Sequence, residues 1–295
     1  MRFGVAYANT GPLSDGPTAA ACTRAIEAAG FDSVWTVEHV LVPVGYESTY
    51  PYARGGKMPG GESVDIPDPL VWLAYVAAAT ESLLLGTGIV ILPQRNPAII
   101  AKEAASLHTL SGGRLRLGVG VGWLEEEFDA LGVPFAGRGK RLDAYVAAMR
   151  ALWTGEEVDL DDGYHVWKRA VSKPAPPGGA VPIVIGGHTE AAARRAGRLG
   201  DGFFPGKGTP EQLAHLLTVM RQTAEDNGRD PATIEVTAGT PAVGGPDPIG
   251  AVEEMAALGV DRLVVPPLAF DAGSAPEAYG AFGESIIAKV ATAAG

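Results

Sequence analysis

The sequence predicts an α/β protein folded as a single (β/α)8 barrel, a TIM-type barrel, from two observations. Eight short apolar runs of strand character alternate with helical runs along the chain. The connections between them are long enough for the right-handed crossovers that parallel neighbours need. An open doubly wound sheet is the alternative, but it would usually have fewer strands and one recognisable switch point, so the count of eight selects the closed barrel. No composition shift marks a boundary, and residues 1–295 are expected to form one domain.

The chain opens on a strand pattern at 2–7, followed by a helical pattern at 17–29 that stops at Gly30, a common C-terminal signal. Strands are then expected at 33–37, 83–91, 115–121, 182–185, 202–204, 233–238 and 262–265. Helices are expected at 68–80, 96–110, 138–153, 189–199, 210–227 and 248–258. Two segments exceed the bare repeat and are expected as insertions after strands 2 and 4. The first, 39–67, carries Tyr46, Tyr50, Tyr52, Arg54 and Lys57 among glycines and prolines. The second, 155–179, holds an acidic turn of Asp159, Asp161, Asp162 and Gly163 between two short β-like pieces, then a proline-rich stretch. Loops of this length commonly serve as lids, walls or contacts.

Composition excludes several classes. With 46% hydrophobic and 19% charged residues the chain is expected to fold, and 40 glycines with 23 prolines mark many turns. A net charge of −11 opposes general binding to nucleic acid or anionic membrane, so any phosphate site has to be local. Cys22 is alone and forms no intrachain disulfide. No charged leader precedes an apolar run and no 18-residue apolar stretch occurs, so a cytoplasmic protein acting on a small molecule is expected.

In such a barrel the loops after the strands build the site. Strand two ends Val37-Glu38-His39; alternation sends the carboxylate and the imidazole to opposite faces, so at most one enters the mouth. Histidine suits proton transfer near neutral pH, while Glu38 as an ion-pair partner and His39 as a loop residue remain equally open. Strand three carries Gly86-Thr87-Gly88-Ile89, where glycine marks a bulge beside a flat ligand or a tight barrel layer that needs small residues. Strand four ends Gly118-Val119-Gly120-Val121-Gly122-Trp123, followed by Glu125, Glu126 and Glu127, acids that suit a helix N-terminus. Strand five ends Gly186-Gly187-His188-Thr189 at the start of a helix, either an anion site or an ordinary turn with a Thr cap. Strand six leads to Lys207 among glycines, within reach of the same face. His39, His108, His165, His188 and His215 show no metal-ligand spacing, and neither a Gly-x-Ser-x-Gly elbow nor a Walker sequence appears.

The run Asn96-Pro97 through Leu107, Ser111-Gly112-Gly113-Arg114, and Gly118 through Trp123 resembles the signature of the luciferase-like monooxygenase family. Glu125 through Phe128, Leu131 through Pro134 and Arg138 are similar to its branch that uses the deazaflavin coenzyme F420. Phe31 through Trp35 with Glu38-His39, and Ile185 through Gly187 with Arg198 through Gly202, extend the likeness over most of residues 1–210. The resemblance implies an oxidoreductase that moves a hydride between C5 of coenzyme F420 and a small organic substrate. It places the ring of that coenzyme, or of FMN, against Thr87, Gly88 and Ile89, with a cis peptide at Gly88–Ile89. Gly120, Gly122 and Trp123 would border the ring, and Gly186, Gly187, His188, Thr189 and Lys207 would hold the anionic tail. His39 and Glu38 become the candidate catalytic pair. Some relatives have a proton-donating glutamate where this chain has Trp123. The alternatives are an FMN-dependent monooxygenase using oxygen and a non-catalytic cofactor-binding protein. A homodimer is expected by family analogy alone.

Overall fold

A computed structural model describes residues 1–295 apart from Arg54, Lys207 and the last two residues. Eight strands close a parallel barrel: β1 (Arg2–Val5), β2 (Ser33–Thr36), β3 (Leu84–Thr87), β4 (Leu115–Gly120), β5 (Ile183–Gly186), β6 (Gly202–Phe204), β7 (Glu235–Ala238) and β8 (Arg262–Val265). Each pairs with its successor, and β8 returns to β1 with Arg2 opposite Arg262 and Val5 opposite Val265. Helices α1 (Gly16–Ala28), α2 (Pro69–Ala77), α3 (Pro97–Leu110), α4 (Arg138–Trp153), α5 (Glu190–Leu199), α6 (Pro210–Asp226), α7 (Pro248–Leu258) and α8 (Ala275–Phe282) follow the strands in turn.

Helix starts are written locally. Asp15, Asp68, Asn96, Thr209 and Asp247 each cap a first turn that also contains proline, so one orphan N–H is satisfied by the cap and another is absent. The period of α8 is broken by Gly280 and Gly283, and the sequence pattern does not announce it. The helix continues through a π turn at Gly283–Ile287, where Gly283 lies against the Ala29 carbonyl and a side chain would overlap it.

The third strand is not continuous over 83–91 as expected. It breaks after Thr87 at a cis Gly88–Ile89 peptide and resumes as Val90–Ile91, which pairs with Val119 and Gly120 of β4. The first insertion follows β2 directly. The second lies between α4 and β5, beginning where α4 ends; its hairpin (Val158–Asp161 with Val166–Ala170) sets Tyr164 and His165 against Tyr145 of α4.

Inside the barrel, Trp35 fills the centre with Ala6, Val184 and Val264, and Phe204 packs edge-on against it at 5.3 Å. Gly86 lies under the Trp35 indole, where a Cβ would overlap the ring. The N-terminal end is sealed by the fully buried Arg262, which donates to Asp32 at 2.8 Å and also pairs with Glu235. The open end is the one where the strands finish. Among the described residues no helix is long and apolar enough to cross a membrane.

Candidate active site

At the open end the floor is made by Ile89. Its side chain lies across the ends of β4 and β5, and a Cβ on either Gly120 or Gly186 would overlap it. A Cβ on Gly88 would press on the Phe204 ring at 3.0 Å. The glycines at these strand ends therefore make room for a neighbouring side chain, and Ile89 is what the floor presents. Thr87 is fully buried, and its hydroxyl donates to the Gly118 carbonyl at 2.7 Å, between strands and away from the mouth. Gly122 sits at φ +79°, where a Cβ would also overlap Ile91 and Phe128.

Glu38 and His39 diverge as the alternation requires. Glu38 is buried, accepts from the Ile91 N–H, and pairs with the Arg95 guanidinium, which also holds Asp68 at 2.7 Å. Burial pushes its carboxyl up against the opposing charge of Arg95. This network ties the end of β2 to the chain after the bulge and to the cap of α2, and it gives Glu38 a partner different from that of His39. His39 instead has its Nδ1 at 3.0 Å from Oε2 of Glu127 and its ring edge-on to Trp123, with centroids 5.6 Å apart.

Glu127 is the residue that sequence reasoning passed over. The three acids after Trp123 do open a short helix (Glu125–Ala130), but the third is fully buried and accepts from Val40 N–H at 2.7 Å and Leu41 N–H at 3.4 Å. Glu126 accepts from the N–H groups of Glu47 and Ser48 at 2.7 and 2.9 Å. Two successive carboxylates thus hold the first insertion at two points. A four-residue step from the strand-end tryptophan is the only trace of this in the sequence.

The insertion supplies an aromatic wall. Tyr46 and Tyr50 pack edge-on to Trp123 at 5.5 and 5.2 Å, Tyr50 meets Tyr52 at 5.4 Å, and Tyr52 meets His188 at 5.1 Å. Lys57 lies over the Tyr46 ring at 3.9 Å. Tyr52 also occupies the space above Gly206, so the wall runs from the β2 and β4 loops across to those of β5 and β6. Burial raises the phenols of Tyr7, Tyr50 and Tyr52 above their ordinary range, and for Tyr50 and Tyr52 the neighbouring phenols add to it, so all three stay protonated as donors.

The diglycine corner precedes α5. Gly187 adopts φ +130° and its N–H is spent on the Phe204 carbonyl, while Thr189 caps the Ala192 N–H. The N–H groups of Glu190 and Ala191, the first of the helix, take no acceptor among the described residues. Lys207 falls outside the described residues. His108 is buried at the end of α3, far along the chain from these loops, and burial lowers its imidazole. The described residues contain no cluster of three or more groups able to hold a metal ion.

Fold and site define a (β/α)8 barrel whose open end carries an apolar floor, an aromatic wall and an imidazole fixed by a buried carboxylate. The chain belongs to the luciferase-like monooxygenase family, whose model matches residues 1–281. It is 35% identical over 229 residues to an uncharacterised protein of Mycobacterium tuberculosis, covering 78% of this chain and 77% of that one. It is 39% identical over 176 residues to the F420-dependent glucose-6-phosphate dehydrogenase of Nocardia farcinica, covering 57% of this chain and 52% of the relative. In fold it is similar to the coenzyme F420-dependent tetrahydromethanopterin reductase of Methanopyrus kandleri, with a TM-score of 0.75, 18% identity, and 98% and 99% of the two chains covered.

Proposed function

We propose that this chain is an oxidoreductase that exchanges a hydride between C5 of coenzyme F420 and a small organic substrate, with His39 handling the accompanying proton. The observation that carries the reading is the placement of His39: it stands at the strand-end face that also holds the Ile89 floor and the diglycine corner, and its Nδ1 is already occupied. The F420-dependent relative supports the choice of cofactor.

The residues present fit such a group. Ile89, backed by Gly120 and Gly186, offers a flat apolar seat for a tricyclic ring. Trp123 and Tyr50 pack edge-on as part of the aromatic wall at the same end of the barrel, with Gly122 setting the turn before Trp123. Gly187, His188 and Thr189, with the first N–H groups of α5 that take no acceptor among the described residues, suit an anionic tail, because a helix N-terminus carries partial positive charge. Coenzyme F420, when bound, supplies two-electron hydride chemistry and little reactivity toward oxygen. Thr87 and Glu38 act on the scaffold, through the Gly118 carbonyl and through Arg95.

Titration of the purified chain with F420 and with FMN, each followed by fluorescence, tests the reading. F420 binding followed by consumption of the reduced coenzyme on addition of α,β-unsaturated ketones is expected. His39→Ala should lower turnover by about 10²–10⁴-fold, the usual worth of a positioned proton carrier, with coenzyme affinity retained. Tight FMN binding without response to F420 would replace this reading with a flavin monooxygenase, and F420 binding without turnover would replace it with a carrier.

A further inference from the structure

We infer that Glu127 is a positioning residue that keeps the His39 proton on Nδ1 and so reserves Nε2 for proton exchange in the barrel mouth; the inference rests on the reading of His39 as the proton-handling group. Glu127 has no exposed surface, and its three contacts divide between its oxygens. Oε1 accepts from the Val40 and Leu41 N–H groups, at 2.7 and 3.4 Å, and Oε2 faces Nδ1 of His39 at 3.0 Å. A carboxylate offers only acceptors, so Nδ1 has to be the donor. The neutral ring then carries its lone pair on Nε2, which makes no hydrogen bond among the described residues.

The surroundings leave this assignment to one partner. Among the described residues, the charged side chain paired with the ring is Glu127 and the packed aromatic is Trp123. The adjoining carboxylate, Glu38, is turned to Arg95. The indole of Trp123 has an N–H and no acceptor nitrogen, so it cannot take up a proton. When a substrate hydroxyl gives its proton to Nε2, an O–H bond breaks and an N–H bond forms. The imidazolium produced stands against Glu127, so no unpaired charge is left in a site where the imidazole side chain is only 8% exposed.

The test reads the proton directly. Histidine is labelled with ¹⁵N and long-range ¹H–¹⁵N correlations are recorded on the free protein at about pH 8.5, above the ordinary range of imidazole. The His39 signals are assigned by their loss in His39→Gln. The native protein is expected to show the Nδ1–H tautomer. Glu127→Gln keeps an amide oxygen for Val40 and Leu41 but presents an NH₂ to Nδ1, and should flip His39 to the Nε2–H tautomer. In the loaded enzyme the same variant should lose about 10²–10⁴-fold in turnover with F420 affinity unchanged, and Glu127→Asp should recover part of the loss. An Nε2–H tautomer in the native protein overturns the inference, as does a Glu127→Gln variant whose His39 tautomer is unaltered. The native spectrum needs neither a variant that folds nor a coenzyme, so failure of F420 to bind would remove the functional reading and leave the tautomer result standing.

Discussion

Ile89 decides what the barrel mouth presents. Three glycines that look from the sequence like places of close approach, Gly88, Gly120 and Gly186, are places where side chains of the chain itself approach: Phe204 over the first and Ile89 over the other two. Gly186→Ala would put a methyl group into the Ile89 side chain and is expected to cost about 1–3 kcal/mol, the usual price of overpacking. Gly186→Ala combined with Ile89→Ala should be less destabilised than the sum of the two single changes, because the added methyl then fills part of the space vacated; denaturant unfolding of the four proteins measures the coupling. Additive losses would mean that the two side chains do not compete. The glycines were visible in the sequence, but a one-dimensional pattern does not distinguish a ligand from a residue two strands away.

At the scale of elements, the short helix after β4 and the insertion after β2 act as one unit. Glu127 holds the first residues of the insertion, Glu126 its middle, and Ser48 Oγ accepts from the Glu125 N–H at 3.2 Å. The hydrogen bond from the Ser48 side chain, joined by backbone N–H groups of Ser48 and Glu47, holds the Glu126 carboxyl down at about 2. A carboxyl depressed on folding contributes stability that is full above its unfolded value of about 4.5 and fades as pH falls toward its folded value. Local release of the insertion is therefore expected between about pH 4.5 and 2. Trp123 lies against that segment, so tryptophan fluorescence should change over this window, and Glu126→Gln should remove most of the change; an identical transition in the variant would assign it to other carboxyls. Three acids in a row announce a helix start, as found. Their partners lie 79 and 87 residues away in sequence, a separation local pattern does not span.

For the molecule as a whole, closure of the barrel rests on its N-terminal end as much as on its strands. Arg262 is fully buried, lies 5.7 Å from the Trp35 ring, and joins Asp32 before β2 to Glu235 at the start of β7. Arg262→Met leaves the partly exposed carboxylates of Asp32 and Glu235 without this partner, while Arg2 still holds Glu235 at 2.6 Å, so the expected cost is about 1–3 kcal/mol. At about 2–4 °C per kcal/mol, thermal unfolding should fall by roughly 2–12 °C. A shift of under about 2 °C would show that water reaches the network and relieves it.

Read alone, the sequence determined the eight-unit α/β repeat, the approximate helix ranges and the strand-end loops that carry His39, Trp123 and Gly186-Gly187, because periodicity and glycine placement act over a few residues. Only the tertiary structure decided that Glu38 turns to Arg95, that His39 turns to Glu127, and that Ile89 occupies the glycine-lined floor. Each of those outcomes depends on which side chains barrel closure brings within about 3 Å of one another, and hydrogen bonding and steric exclusion, which act only at that range, then select the partner.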